Sequence, residues 1–286
     1  MKGNNKVWTV LSMLNWATAY FEGKNVSSPR LSIEWLLSEV LEIKRLNLYL
    51  QYDRPLSQNE LDKLRPLIKR RASHEPLQYI IGYIEFMDCK IEVNPDVLIP
   101  RIETEQLVEI ILEKLNETGG QALNLLDIGT GSGCIPIAIK KEREDLNCYG
   151  AEISDSALQL AKKNAELNDV NVTFFKGDLF DHSSLKIQDW DIIISNPPYI
   201  SPDEKPTIEK QVISYEPELA LFHEDPLSVY RSIIEFSATL KSHLFLECND
   251  KTAEKVREIA SQLYSDIKLL NDLDNNPRFV VTEGSF

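Results

Sequence analysis

"LLDIGTGSGCIPIAI", residues 125–139, decides the fold. An apolar run ends in Asp127, three glycines follow at alternate positions, and apolar residues then resume at helical spacing. Strand, glycine loop and helix in that order open an α/β unit. Ligands of such units bind beyond the carboxyl ends of parallel strands, where glycines let the backbone come close to them. The loop reads G-x-G-x-G through Gly129, Thr130, Gly131, Ser132 and Gly133, not the G-x-G-x-x-G that cradles a dinucleotide pyrophosphate. A tight strand-to-helix turn with no ligand is the plainer alternative, so the loop is weighed with its surroundings.

Strands and helices alternate downstream of it. "NCYGAEI" (147–153), "VTFFKG" (172–177), "DIIISN" (191–196), "HLFLEC" (243–248), "IKLLNDL" (267–273) and "RFVVTEG" (278–284) read as strands, which with 122–129 makes seven. Helical patterns lie over 134–145, 156–168, 226–241 and 251–264. This alternation predicts a mainly parallel sheet covered by helices on both faces. The "DNNP" turn at 274–277 is too short for a helical crossover, so the last strand is expected to run antiparallel.

Two acids end the strands that follow the glycine loop. Glu152 closes "YGAE", where a carboxylate can accept from ribose hydroxyls, although a surface glutamate could stand there by chance. Asp178 in "GDLF" can accept from an adenine amino group while Leu179 packs on the ring; "GD" is also a common turn. A glycine loop and two acids on three successive strand ends suit an adenosine-bearing ligand without a pyrophosphate. S-adenosylmethionine is the expected cofactor, with S-adenosylhomocysteine as its product.

The fourth strand runs into "NPPY", Asn196 to Tyr199. Proline ends sheet pairing because it has no N–H to donate, so this corner is rigid and rich in acceptors. A planar nitrogen conjugated to a carbonyl or an aromatic ring is a poor nucleophile. A site that methylates one must accept both its N–H hydrogens and aim its lone pair at the methyl. Asn196 offers a side-chain carbonyl, Pro197 a backbone carbonyl held by the two prolines, and Tyr199 a ring to cover the group. Asn196, Pro197 and Tyr199 are therefore the expected catalytic residues, and Pro198 joins them in the substrate site. The bland alternative is a proline-rich cap on a strand. No Pro-Cys nucleophile, as carbon methylation of pyrimidines requires, is present.

Upstream of the α/β region, residues 1–78 show helical spacing only, broken at Ser28-Pro29, with Ser57 and Glu60 in the pattern of a capping box. "LQYIIGYIEF" (77–86) and "CKIEVNPDVLI" (89–99) are rich in β-branched and aromatic residues and read as two strands of a hairpin linker over 79–98. The domain over 99–286 then opens with a helix near Thr104.

With 31 basic and 45 acidic residues among 286, the formal charge is −14, and Lys69, Arg70 and Arg71 make the one local basic run singled out. That balance argues against nucleic acid as a direct partner, since backbone binding relies on displacement of counterions by lysine and arginine. Cys89, Cys134, Cys148 and Cys248 are scattered, as are the four histidines, which predicts reduced thiols and no metal site. Lys2 and Lys6 precede an apolar stretch that Thr9 and Ser12 interrupt, and no run approaches the ~20 residues of a membrane helix. The reading is a cytoplasmic protein with no membrane partner.

The series "EPLQYIIGYIEF", "VLIPRIETEQLV", "LLDIGTGSGCIPIAI", "AEISDSALQLAKKNA", "GDLF", "SNPPYI" and "YEPELALF" resembles the HemK-like release factor glutamine methyltransferases over nearly the whole chain. The resemblance implies a helical N-terminal domain, a hairpin linker and a Rossmann-like methyltransferase domain. It implies methylation of the side-chain amide of the glutamine in the Gly-Gly-Gln loop of class I peptide release factors. It also implies that Gly129 to Gly133, Glu152, Asp178, Leu179 and Asn196 contact the cofactor. Arg101, Glu103 and Thr104 resemble the segment bordering the active site, but a charged helix N-terminus is an equal reading and they stay outside the catalytic set. The chain departs from the pattern at Ile102, "HEDPL", "KSHLFLEC" and "DLDNNPRFVV". Rival readings are methylation of a ribosomal-protein glutamine, of DNA adenine, or binding of the cofactor without turnover.

Overall fold

The computed structural model of the chain describes residues 7–116 and 122–282; Lys2, Lys6 and the end of the strand expected over 278–284 lie outside them. The chain divides into two compact units, one of residues 1–82 with Lys210–Tyr215, the other of Tyr83–Glu209 with the remainder.

The helical unit contains α1 (Val10–Glu22), α2 (Pro29–Leu41), α3 (Gln58–Ala72) and α4 (Leu77–Ile81). α1 and α3 each begin with a reciprocal capping box, Thr9 with Ser12 and Ser57 with Glu60, which satisfies backbone donors that the first turn leaves orphaned. Their apolar faces meet around Leu14, Phe21, Ile33, Leu36 and Leu64. Arg71 is buried and spends its guanidinium on Ser32 Oγ, Ser27 O and Oγ, Glu75 O and Gln211 Oε1. Arg70 pairs with Glu75. The basic run 69–71 is thus largely consumed inside the unit and does not present three cations to solvent.

One expected strand is corrected here. Composition favours an extended 77–81, yet these residues form α4, with Pro76 at its N-cap and Gly82 at φ +92° ending it. Tyr79 and Ile80 are buried, and a five-residue run is too short for periodicity to separate helix from strand. The strand proper is β1 (Tyr83–Phe86), paired antiparallel with β2 (Cys89–Glu92).

In the second unit the helix expected near Thr104 begins at Ile102 and runs to Leu115 as α5. There follow β3 (Asn124–Ile128), α6 (Cys134–Glu142), β4 (Asn147–Glu152), α7 (Asp155–Leu167), β5 (Thr173–Lys176), α8 (His182–Leu185) and β6 (Ile192–Ser195). Short elements that sequence spacing misses lie beyond β6: a 3-10 turn at Pro202–Thr207, α9 (Lys210–Tyr215), which belongs to the helical unit, and α10 (Glu218–Leu221). The chain continues through α11 (Pro226–Leu240), β7 (His243–Glu247), α12 (Ala253–Ala260), β8 (Ile267–Asn271) and β9 (Pro277–Thr282). α12 is shorter than the expected 251–264.

The seven strands lie in the order β5-β4-β3-β6-β7-β9-β8, parallel except for β9, which pairs antiparallel with both β7 and β8 as the short turn predicts. The chain leaves β3 toward β4 on one side and returns to β6 on the other, so the order reverses at β3 and opens a crevice there. Both faces are covered, which is why β3, β6 and β7 are buried along almost their whole length and carry their few polar residues toward their ends. Leu126, Ile193, Leu244 and Leu246 pack with Val229, Ile233 and Val256 of α11 and α12.

The β1–β2 hairpin belongs to this unit and is anchored by two asparagines one helical turn apart. Asn164 Oδ1 accepts from Glu92 N, and its Nδ2 donates to Glu92 O and Ser132 O; Asn168 makes the same pair of bonds to Lys90. Because Asn164 is fully buried, Asn164→Ala would leave three backbone groups without partners. We expect a loss of about 2–4 kcal/mol in urea unfolding, against near-neutrality if water replaces the amide.

Candidate active site

The glycine loop joins β3 to α6. Gly131, at φ +53°, turns its N–H onto Glu152 Oε2 at 2.9 Å, and a Cβ there would meet nothing within 4 Å. Gly133 has a different task. At φ +80° it caps α6, and a Cβ would stand 2.9 Å from Phe174 Cζ and 3.1 Å from Ala161 Cβ, so the missing side chain lets α6 seat against β5 and α7.

Glu152 at the end of β4 is buried, and Oε1 accepts from Ile153 N and Ser154 N at 2.9 Å each. Three backbone amides thus orient the carboxylate, and of its roughly four lone-pair positions one on Oε2 is left. Asp178 ends the next strand connection. Its Oδ1 accepts from Phe180 N, leaving Oδ2, while Ser232 donates to Leu179 O and holds the turn. Phe180 stacks on His223, ring centroids 5.6 Å apart.

The Asn-Pro-Pro-Tyr corner follows β6. Asn196 Nδ2 donates to Thr104 Oγ1 at 3.2 Å, and Thr104 donates its hydroxyl to Glu247 Oε2 at 2.8 Å. Asn196 Oδ1 is buried without a partner, and no donor among the described residues engages the Pro197 carbonyl. Glu247 ends β7 on the face it shares with Phe245, toward α5, and is 1% exposed. Burial pushes its carboxyl up to about 7, opposed by the Thr104 hydrogen bond and by Arg278.

These elements surround a cavity of about 440 Å³, lined by Gly129 to Ser132, Glu152, Asp178, Leu179 and Asn196 to Pro198. Two residues expected at the site stand back from it. Gly133 packs under α6, and Tyr199 turns to the α11 core, where burial raises its phenol well above its ordinary range. Residues that sequence reasoning did not assign also line it: Pro95 to Leu98, Thr104, Ile153, Phe180, Leu219, Phe222 and His223. Asp127 lies behind the wall; burial, opposed by a hydrogen bond from the Thr130 side chain and reinforced by nearby Glu152, pushes it up to about 7. Burial also pushes the cavity-lining Cys134 thiol up to about 12, which leaves it inert.

An adenosine-bearing ligand fits this cavity. Asn196 Oδ1 is a buried, unpartnered polar atom on a side chain that lines this cavity, and a group left so is costly until something bonds it. The open space beside Gly131 lets a ligand reach the backbone, and apolar Ile153, Leu179 and Phe180 can flank a flat ring. Among the described residues no helix is long and apolar enough to cross a membrane.

Residues 12–82 match the family described as PrmC N-terminal domain, and residues 103–220 the methyltransferase small domain. Similar proteins are a release factor glutamine methyltransferase of Geobacter sulfurreducens, 42% identical over 80% of this chain and 79% of that protein, and one of Bacteroides thetaiotaomicron, 39% identical over 85% and 88%. A third, from Chlorobaculum tepidum, is 34% identical over 96% of both. Among solved structures, the hMettl16 catalytic domain in complex with the MAT2A 3'UTR hairpin 6 aligns with a TM-score of 0.56 at 17% identity, over 75% of this chain and 82% of that one. That likeness speaks for the methyltransferase fold alone.

Proposed function

The chain belongs to the release factor glutamine methyltransferase family, and from that premise we propose that it methylates the side-chain amide nitrogen of the glutamine in the Gly-Gly-Gln loop of class I peptide release factors. It is an S-adenosylmethionine-dependent methyltransferase. The observation that carries the substrate reading is the pair of free acceptors at the end of β6, Asn196 Oδ1 and the Pro197 carbonyl.

When bound, the cofactor supplies an electrophilic methyl on sulfonium sulfur. Glu152 would hold the ribose, Asp178 Oδ2 and the Leu179 and Phe180 side chains would hold the adenine, and the loop from Gly129 to Ser132 would lie along the remainder. Asn196 Oδ1 and Pro197 O accept the two N–H hydrogens of the substrate amide. Holding both hydrogens fixes the plane of the group and favours the pyramidal nitrogen whose lone pair can attack. Neither carbonyl is a base at neutral pH, so the proton lost by the methylated nitrogen passes to water. Tyr199 supports the corner from behind, packed against the core, instead of covering the amide. We assign release-factor docking to the helical residues 1–78 and the reaction to the cytoplasm.

The test is methyl transfer from labelled S-adenosylmethionine to a class I release factor, to the same factor with its Gly-Gly-Gln glutamine changed to alanine, and to duplex DNA. Label on the unaltered factor alone is expected. Label on the alanine variant, or on DNA, overturns the assignment of the accepting atom.

A further inference from the structure

We propose that Thr104 and Glu247 are positioning residues that lock the Asn196 amide with its carbonyl toward the substrate, so that the site admits an N–H donor and rejects an acceptor in its place. The inference deepens the reading of the same site as one for a primary carboxamide, and rests on it.

A side-chain amide can be seated in two orientations related by a half turn, and its hydrogen-bond network decides between them. A hydroxyl has one proton to give. Thr104 gives it to Glu247 Oε2 at 2.8 Å, inside a buried contact between α5 and the end of β7. Its oxygen is then left only as an acceptor toward Asn196, 3.2 Å away, and the group turned to it has to be Nδ2. Oδ1 is thereby turned away from Thr104, without another partner, on a side chain that lines the cavity. The ionised carboxylate, which can only accept, sets the direction of the chain of bonds, the hydroxyl passes it on, and the amide presents it. Asn196 without this support could offer either edge, and a glutamine amide would meet a donor facing a donor in part of the population.

The experiment compares Thr104→Val, which keeps shape and loses the hydroxyl, with Thr104→Ser. Thr104→Val is expected to lower kcat on the release factor by on the order of 10–10²-fold, with the S-adenosylmethionine Kd unchanged and Thr104→Ser restoring most of the rate. A release factor carrying glutamate in place of the Gly-Gly-Gln glutamine should inhibit wild type weakly and Thr104→Val more strongly, because the freed amide can turn its NH₂ to the carboxylate. In ¹H–¹⁵N spectra of the ligand-free chain, one Nδ2 proton of Asn196 should exchange slowly in wild type, and lose that protection in Thr104→Val. Full turnover by Thr104→Val, or a Thr104→Ser variant as impaired as Thr104→Val, overturns the proposal. Should wild type methylate no release factor, the substrate reading fails, while the Asn196 amide signal still decides the relay.

Discussion

Asn196→Ala is expected to methylate the release factor roughly 10²–10³-fold more slowly than wild type while binding S-adenosylmethionine within a few-fold. The asymmetry follows from where the acceptor acts. In the ground state the substrate amide is planar and one N–H bond lost to Asn196 can be recovered from water. As the nitrogen gives up conjugation and takes on positive charge, its N–H groups become stronger donors, and a fixed carbonyl is worth more there than solvent that must reorient. The residue is half-buried and its side chain gives one hydrogen bond, to Thr104, so its removal should leave the fold intact. Single-turnover methyl transfer at saturating cofactor, set beside a calorimetric titration, separates the two effects. Turnover close to wild type would mean that Pro197 and solvent suffice, and would falsify the two-acceptor account.

How far this site was legible follows from how its parts are carried. The glycine loop, Glu152, Asp178 and Asn196 each end a strand of one parallel sheet, and parallel strands deliver their carboxyl ends to a common rim, so order along the chain translates into position in space. Thr104 and Glu247 lie outside that logic. Their hydrogen bond joins residues 143 apart, and each looks ordinary alone, a threonine in a first helical turn and an acid after an apolar run. The available signals were the likeness of Arg101, Glu103 and Thr104 to a segment bordering an active site, which a charged helix N-terminus explains equally well, and an acid ending a mostly apolar strand that a parallel sheet buries on both faces. Tyr199 failed for a related reason: its neighbours are set by the seating of α11, which residues 196–199 do not encode. The segment 77–81 failed because five residues with aromatic and branched side chains fit either structure until the helical unit buries Tyr79 and Ile80. Arg71 shows the same limit from the polar side, since a basic run reads as surface until its partners Ser27, Ser32 and Gln211 are seen.

Glu152→Ala is expected to weaken S-adenosylmethionine binding by about 10–100-fold, with kcat at saturating cofactor little changed. Two contributions add. A hydrogen bond to a charged acceptor contributes about 1.5–3 kcal/mol, and 1.4 kcal/mol is tenfold in Kd. The carboxylate also orders its own site, taking Gly131 N on one oxygen and Ile153 N and Ser154 N on the other. Glu152→Gln separates the two. Its carbonyl can keep the bonds to Ile153 and Ser154, which leaves the NH₂ facing the Gly131 N–H, so the turn after β4 survives while the glycine loop is pushed away. If ordering of the loop dominates, Gln should bind cofactor as poorly as Ala despite retaining an oxygen. If direct contact with ribose hydroxyls dominates, Gln should recover part of the affinity, because its NH₂ can still bond a hydroxyl. The three bonds lie within the loop and its neighbouring strand end, where the second contribution has its full lever arm, and we therefore expect Gln to fall nearer to Ala. Unchanged affinity in either variant would remove Glu152 from the cofactor site and leave its burial to be explained by the backbone amides alone.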